Sequence, residues 1–330
     1  MKRRAGGHRD RRAAAKLSAA ALLALAILAA GVAVVGATNL LHRRIARSAA
    51  SLASGASGTS GTSGTSGTSG ASGASGTSGA TGATGPLAPP NPFTTNAMHR
   101  FLATRAGNIT AAVYDVDSNA TYLYHPGDRE QTASIVKVDI LATLLGQAQA
   151  QGTTISAGER YVAAGMIEQS DNDDATTLWD DVGGPAAVAS FDARLGMTQT
   201  TPSLAWGLTE TTPRDQLRLL RHIALPNRVL RYEYREAELY LMEHVVSEDY
   251  WGITAGPSRG VTVAVKNGWL PLPGGWQINS IGMVRGHHRF YLIAVMTNGN
   301  PEEAYGIDTI EGIARIAWSD LVPTPTAHAV

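Results

Sequence analysis

Apolar and polar residues alternate with different periods along the 330-residue chain, and the changes of period mark its parts. Residues 17–41 carry no charged side chain at all, and residues 55–85 carry almost no large apolar one. From about residue 91 onward the pattern becomes that of a packed domain. "ITAAVYDV" (109–116), the polar "DSNA" and "TYLYHP" (121–126) predict a β-hairpin, and a helix is expected before it over 94–105. Helical spacing then predominates from 134 to about 242, with helices predicted over 134–150, 157–168, 172–181, 184–195 and 213–224. The fifth has its start written out in "TTPRDQ": Thr212 as N-cap, Pro213 at the first helical position and Asp215 in the first turn. Strand patterns return at 261–266, 277–284 and 290–297, the last two joined by a hairpin turn at "RGHHR". A closing helix over 302–321 places Ile307, Ile310, Ile313, Ile316 and Leu321 on one side. Strands at both ends with helices between them predict an α+β architecture, an antiparallel sheet lobe packed beside a helical lobe.

Charge and composition add an address. Seven basic residues precede the apolar stretch against a single acid, Asp10, while Arg43, Arg44 and Arg47 follow it. Residues 17–37 would span about 32 Å as a helix, close to a bilayer core of roughly 30 Å. Residues 1–45 are therefore expected to be a cytoplasmic basic segment and membrane anchor, leaving the rest extracytoplasmic. Cleavage near Ala37 in "VGA" would release it as a secreted form. Residues 46–90 read as a flexible linker. Over 55–85 glycine recurs every third position, as in collagen, but Ala, Ser and Thr without proline fill the other positions. The folded domain is expected over 91–322, a monomeric unit followed by a tail at 323–330. The chain has no cysteine, which excludes disulfides and cysteine metal or redox sites. Its formal charge is zero and its basic cluster flanks the apolar stretch, so nothing points to nucleic acid.

Candidate chemistry starts at "TASIVKVDI" (132–140), where Ser134 and Lys137 are spaced i, i+3 at the start of a helix. On one helix face they come within reach of each other, so a neutral lysine could take the serine proton. A lysine with an ordinary pKa near 10.4 is cationic at pH 7, so the site would have to lower it by desolvation or a second cation. Alone, the pair reads by default as a helix cap at Ser134 with a solvated lysine beside it. Two further motifs keep it company: "SDN" at Ser170, Asp171 and Asn172 in a helical region, and "KNG" at Lys266, Asn267 and Gly268, expected at the end of a strand.

In this order the three motifs resemble those of the class A β-lactamases and their relatives, the penicillin-recognising serine hydrolases and D-alanyl-D-alanine peptidases. The resemblance extends over about 94–321 and includes "VGGPAAVASF" (182–191), the "TTP" before the fifth helix and Asn279. It implies a serine hydrolase that forms an acyl-enzyme at Ser134, with Lys137 as proton acceptor and Ser170 as relay to the leaving nitrogen. Asn172 would hold the substrate's amide side chain. Lys266 would supply positive charge, and Asn267 and Gly268 would complete the binding strand. The backbone N–H groups of Ser134 and Trp269 would form the oxyanion hole. The substrate would be a β-lactam or a peptidoglycan-type amide, with no metal or organic cofactor. A D,D-peptidase, or a non-catalytic wall-binding module, remains open beside a β-lactamase.

Three departures matter. Ser170 follows Ser134 by only 36 positions, so the helical lobe is trimmed. Asn267 replaces the usual hydroxyl residue, though an amide can still donate to a carboxylate. The glutamate with which class A enzymes activate the deacylating water has no clear counterpart. The only acid in "LGMTQTTPSLAWGLTETTP" (195–213) is Glu210, expected to be a solvated loop residue rather than that base. Without a general base, release of the acyl group slows by about 10²–10⁴.

Overall fold

The computed structural model describes residues 88–321. The apolar stretch at 17–41, most of the glycine-rich linker and the tail lie outside the described residues. Among the described residues no helix is long and apolar enough to cross a membrane. The folded part makes contact slightly earlier than expected: Pro89, read as linker, is buried and its carbonyl accepts the Tyr122 hydroxyl.

Five strands form one antiparallel sheet: β1 (Asn108–Asp115), β2 (Ala120–Tyr124), β5 (Thr262–Leu272), β6 (Gly275–Gly286) and β7 (Arg289–Asn300), in the order β2-β1-β7-β6-β5. The terminal segments thus meet in the middle of the sheet, where β1 pairs with β7 from Asn108↔Asn298 to Asp115↔Tyr291. Both faces are buried, so alternation along a strand sorts side chains between two cores. On β7, Leu292, Ala294 and Met296 enter the core shared with the helical lobe, while Tyr291, Ile293 and Val295 enter the other. A slip of one residue would exchange the two sets. The second core is closed by α1 (Asn96–Leu102) and α8 (Glu303–Asp320), whose Ile310, Ile313 and Ala317 lie in it. The β6–β7 turn has His287 and His288 at φ 50° and 60°, the left-handed pair a two-residue hairpin turn requires.

The helical lobe contains α2 (Val136–Ala150), α3 (Ala157–Glu168), α4 (Asn172–Val182), α5 (Gly184–Leu195), α6 (Pro213–Ala224) and α7 (Tyr232–Glu243). Local capping explains the sharp boundaries. Asp171 accepts the N–H groups of Asp173 and Asp174 to start α4, and Gly183, at φ 99°, ends it. Thr212 accepts the Asp215 N–H at 3.2 Å to start α6, as its sequence predicts.

Three features depart from expectation. α7 follows the five helices predicted for this region. β5 runs on to Leu272, which puts Lys266, Asn267 and Gly268 in mid-strand rather than at a strand end. A two-stranded ladder, β3 (Glu130–Gln131) with β4 (Glu210–Thr211), ties the loop before α6 to the segment before Ser134.

Candidate active site

Ser134 lies in the 3-10 turn Ala133–Ile135, which runs straight into α2. Ala133 has φ 46°, a left-handed conformation that costs a non-glycine residue roughly 1–2 kcal/mol. Neighbouring bonds hold it there. Thr132 N–H donates to the Thr209 carbonyl at 2.8 Å, and Asn279 Nδ2 donates to the carbonyls of Gln131 (2.8 Å) and Thr132 (2.9 Å). Ile135 and Val136 are buried behind it, while Ser134 stays partly accessible.

Lys137, in the first turn of α2, is fully buried. Its Nζ donates to the Ser170 carbonyl (2.6 Å), Ser170 Oγ (3.1 Å) and Asn172 Oδ1 (2.8 Å). The i, i+3 spacing does bring Lys137 to the same end of the helix as Ser134, yet its nitrogen is taken up by the Ser-Asp-Asn segment. Ser170 itself has φ 51°, and its carbonyl and hydroxyl both meet the Lys137 nitrogen. Lys266, equally buried on β5, reaches Ser170 Oγ from elsewhere at 3.0 Å and its neighbour's carbonyl, Asn267 O, at 3.2 Å.

One hydroxyl thus sits between two lysine nitrogens. Burial first, then the charge of Lys266, pushes Lys137 well below the ordinary lysine range, against the pull of Asp171, Asp249 and Asp174. Burial lowers Lys266 to about 8, with Asp249 opposing. A hydroxyl can accept two hydrogen bonds and donate one. A charged Lys266 can therefore donate to Ser170 Oγ while the Ser170 O–H points to a neutral Lys137.

Gly268 brings the strand against the serine. A Cβ added there would lie 2.7 Å from Ser134 N and 2.9 Å from Thr132 O, so only glycine permits this approach. Trp269 follows directly along β5. Asn172, at the start of α4, gives its amide oxygen to Lys137, and its Nδ2 is engaged by no described residue.

Asn267 does not take the ligand-facing place assigned to it, and Glu210 lies apart from the lysines as expected. Asn267 is 1% exposed, and its Nδ2 donates to the carbonyls of Asp249 (2.8 Å) and Trp251 (3.0 Å). Both amide hydrogens are committed, so it has none to offer a ligand carboxylate; its position on β5 turns it away from the side chain of Lys266. Glu210 is half-exposed in β4 and ion-paired to Arg129 at 3.6 Å, as befits a solvated residue. Its carboxylate bonds none of Ser134, Lys137 and Ser170.

Two residues near the lysines escape sequence reasoning. The Trp206 ring lies 5.0 Å from Lys137 Nζ, and its Nε1 donates to Thr176 Oγ1 at 3.2 Å. Thus the loop between α5 and β4 offers Lys137 an aromatic face. Asp249, in the 3-10 turn Ser247–Asp249, lies within the electrostatic reach of both lysines; burial pushes it up, and Lys266 and Lys137 pull it down. Neither has a local signal, since both reach the site from separate loops. Among the described residues no group of three or more His, Cys, Asp or Glu is arranged to hold a metal ion.

Known structures share this arrangement of sheet and helices. The TLA-1 extended-spectrum β-lactamase matches with a TM-score of 0.63 at 18% identity, over 68% of this chain and 96% of that one. PBP-A, as a point mutant in an acyl-enzyme complex with penicillin G, matches at 0.60 with 20% identity, over 68% and 96%. A class A β-lactamase from Mycobacterium abscessus matches at 0.59 with 21% identity, over 67% and 96%. These identities establish a common fold. No curated protein matches the chain in sequence. The model of the Beta-lactamase enzyme family, however, matches residues 149–321, more than half the chain. By that match, and by the α+β fold it shares with serine β-lactamases, the chain belongs to the Beta-lactamase enzyme family.

Proposed function

We propose that the protein is a serine acyl-transfer enzyme that forms an acyl-enzyme at Ser134 with β-lactams or related cell-wall amides. The observation that carries this reading is the Ser170 hydroxyl held between Lys137 and Lys266 at 3.1 and 3.0 Å. Neutral Lys137 takes the Ser134 proton as Oγ bonds to the carbonyl carbon. The charge on the carbonyl oxygen is met by the backbone N–H groups of Ser134 and Trp269. As the carbon–nitrogen bond breaks, Ser170 gives its proton to the leaving nitrogen and recovers one from Lys137. Lys266 favours the electron-rich state of Ser170 Oγ throughout.

Deacylation is the weak step in this reading. Lys137 faces Trp206, and none of its hydrogen bonds goes to a carboxylate. That observation favours a second reading, a peptidase of the penicillin-binding type acting on wall peptides, with slow release of β-lactams. In either case the N-terminal segment would hold the domain outside the membrane.

The test is to incubate the full-length protein with a labelled penicillin and, separately, a chromogenic cephalosporin, following covalent mass and turnover. A stable adduct on Ser134 with little turnover is expected, and loss of the adduct in Ser134→Ala. Fast turnover would select the β-lactamase reading. No adduct with either compound would leave a non-catalytic wall-binding module.

A further inference from the structure

The solvent side of α6 carries a charge that the neutral total of the chain hides. Residues 213–232 hold five arginines and a single acid, Asp215. Apart from Ala224, the residues of α6 that are not buried are Arg214, Arg218, Arg221 and His222. Their i, i+4, i+7, i+8 spacing puts all four on one face of the helix. Where the helix ends, Arg218, Arg221 and His222 line a cavity of about 270 Å³ together with Leu225, Pro226 and Asn227.

A helix C-terminus ordinarily presents carbonyl oxygens and disfavours anions. Here those acceptors are spent. Asn227 Nδ2 donates to the carbonyls of His222 (2.6 Å) and Leu225 (2.8 Å), and the Leu225 N–H donates to the Arg221 carbonyl at 3.0 Å. His222 Nδ1 donates to the Arg218 carbonyl at 2.9 Å, which leaves Nε2 without a partner among the described residues. The donors are left over. Arg221 lies over the Tyr114 ring at 4.1 Å, and among the described residues no hydrogen bond or ion pair engages its guanidinium. Arg218 gives Nη1 to Asp215 at 2.5 Å and keeps its other nitrogens. Exposed Arg214 and Arg228, before and after the cavity residues in sequence, are in no ion pair among the described residues.

Two guanidinium groups beside an imidazole suit a tetrahedral phosphate, which has oxygens for both forks; a carboxylate has enough for one. Tyr114, the ring beneath Arg221, is 5% exposed, so it offers no open face on which a nucleobase could stack. We propose that the cavity at the end of α6 binds a phosphate group, and that Arg214 and Arg228 extend the site to further phosphates of a linear phosphate polymer. The site shares no residue with the Ser134 centre and stands whether or not Ser134 is acylated.

The test is modification of arginines in the full-length protein by phenylglyoxal, read residue by residue by peptide mass spectrometry. Inorganic phosphate should slow modification of Arg221 about fivefold relative to acetate at equal ionic strength, because only phosphate fills both forks. Arg315 on α8, paired with Glu311, should react alike in both. In His222→Ala the protection of Arg221 should weaken about threefold through loss of one contact. Linear polyphosphate should protect at about tenfold lower phosphate concentration and should cover Arg214 and Arg228 as well. Equal protection of Arg221 by acetate, the same slowing at Arg315, or undiminished protection in His222→Ala would overturn the phosphate site. Protection by polyphosphate no better than by phosphate, with Arg214 and Arg228 still reactive, would overturn the polymer and leave a small phosphate ester. Stronger protection by single-stranded DNA than by polyphosphate would overturn the choice of ligand.

Discussion

Ionisable side chains are buried in two regions of this molecule, and the regions treat them differently. At the junction of the lobes, the side-chain nitrogens of Lys137 and Lys266 each have defined partners, with Ser170 Oγ shared between them. Inside the helical lobe, Asp139 on α2, Asp192 on α5 and Glu238 on α7 are buried with few partners. Both oxygens of Asp192 and of Glu238, and Oδ1 of Asp139, receive no hydrogen bond. Carboxylates only accept, so the Asp139–Asp192 contact becomes a hydrogen bond only if one of them keeps a proton. Burial raises all three acids, and the neighbouring Asp192 raises Asp139 further; Asp192 itself reaches about 7. The lysines, by contrast, are lowered by burial. Burial works against the charged form of both kinds of group, but only in the lysine region do two nitrogens share one hydroxyl.

The largest expected effect breaks the lysine side. Lys137→Ala should slow acylation of Ser134 by about 10²–10⁴, measured as the second-order rate of adduct formation with labelled penicillin. In the unmutated protein the same rate should rise with pH as Lys137 loses its proton, then fall above about 8 as Lys266 loses its own. A flat profile would remove Lys137 as the acceptor.

The acid side should appear in stability. An acid whose folded pKa exceeds its unfolded one keeps its proton longer in the native state, so stability falls as pH rises between the two values. For Asp192 that window runs from 3.8 to about 7, and the urea midpoint should decline across it. Asp192→Asn should flatten this decline while leaving the acylation profile unchanged. The lowered lysine has the opposite sign: Lys266 adds stability as pH rises from about 8 toward 10.5. The smallest effect is expected at Glu210. Glu210→Gln should leave both acylation and turnover within about twofold, because an exposed ion pair contributes little; a large fall in turnover would place a base where the structure shows a surface pair.

Legibility followed the range of the interactions. The ends of α3, α5 and α6 could be read to the residue because caps, prolines and glycines act within one turn. α7 was hidden because its buried positions include Arg235 and Glu238, which break the apolar period a helix is recognised by. The β3–β4 ladder is two residues long and exists only because the fold brings its strands together.

The catalytic candidates divide in the same way. The residues Ser134, Lys137, Ser170 and Lys266 were legible because their chemistry lies in residue type, order and short spacing. Whether Lys137 is neutral, which way Asn267 faces, and that Trp206 and Asp249 surround the lysines were decided by tertiary structure alone. Desolvation and through-space charge depend on what packs against a side chain, and here the packing partners come from loops dozens of residues away in the chain.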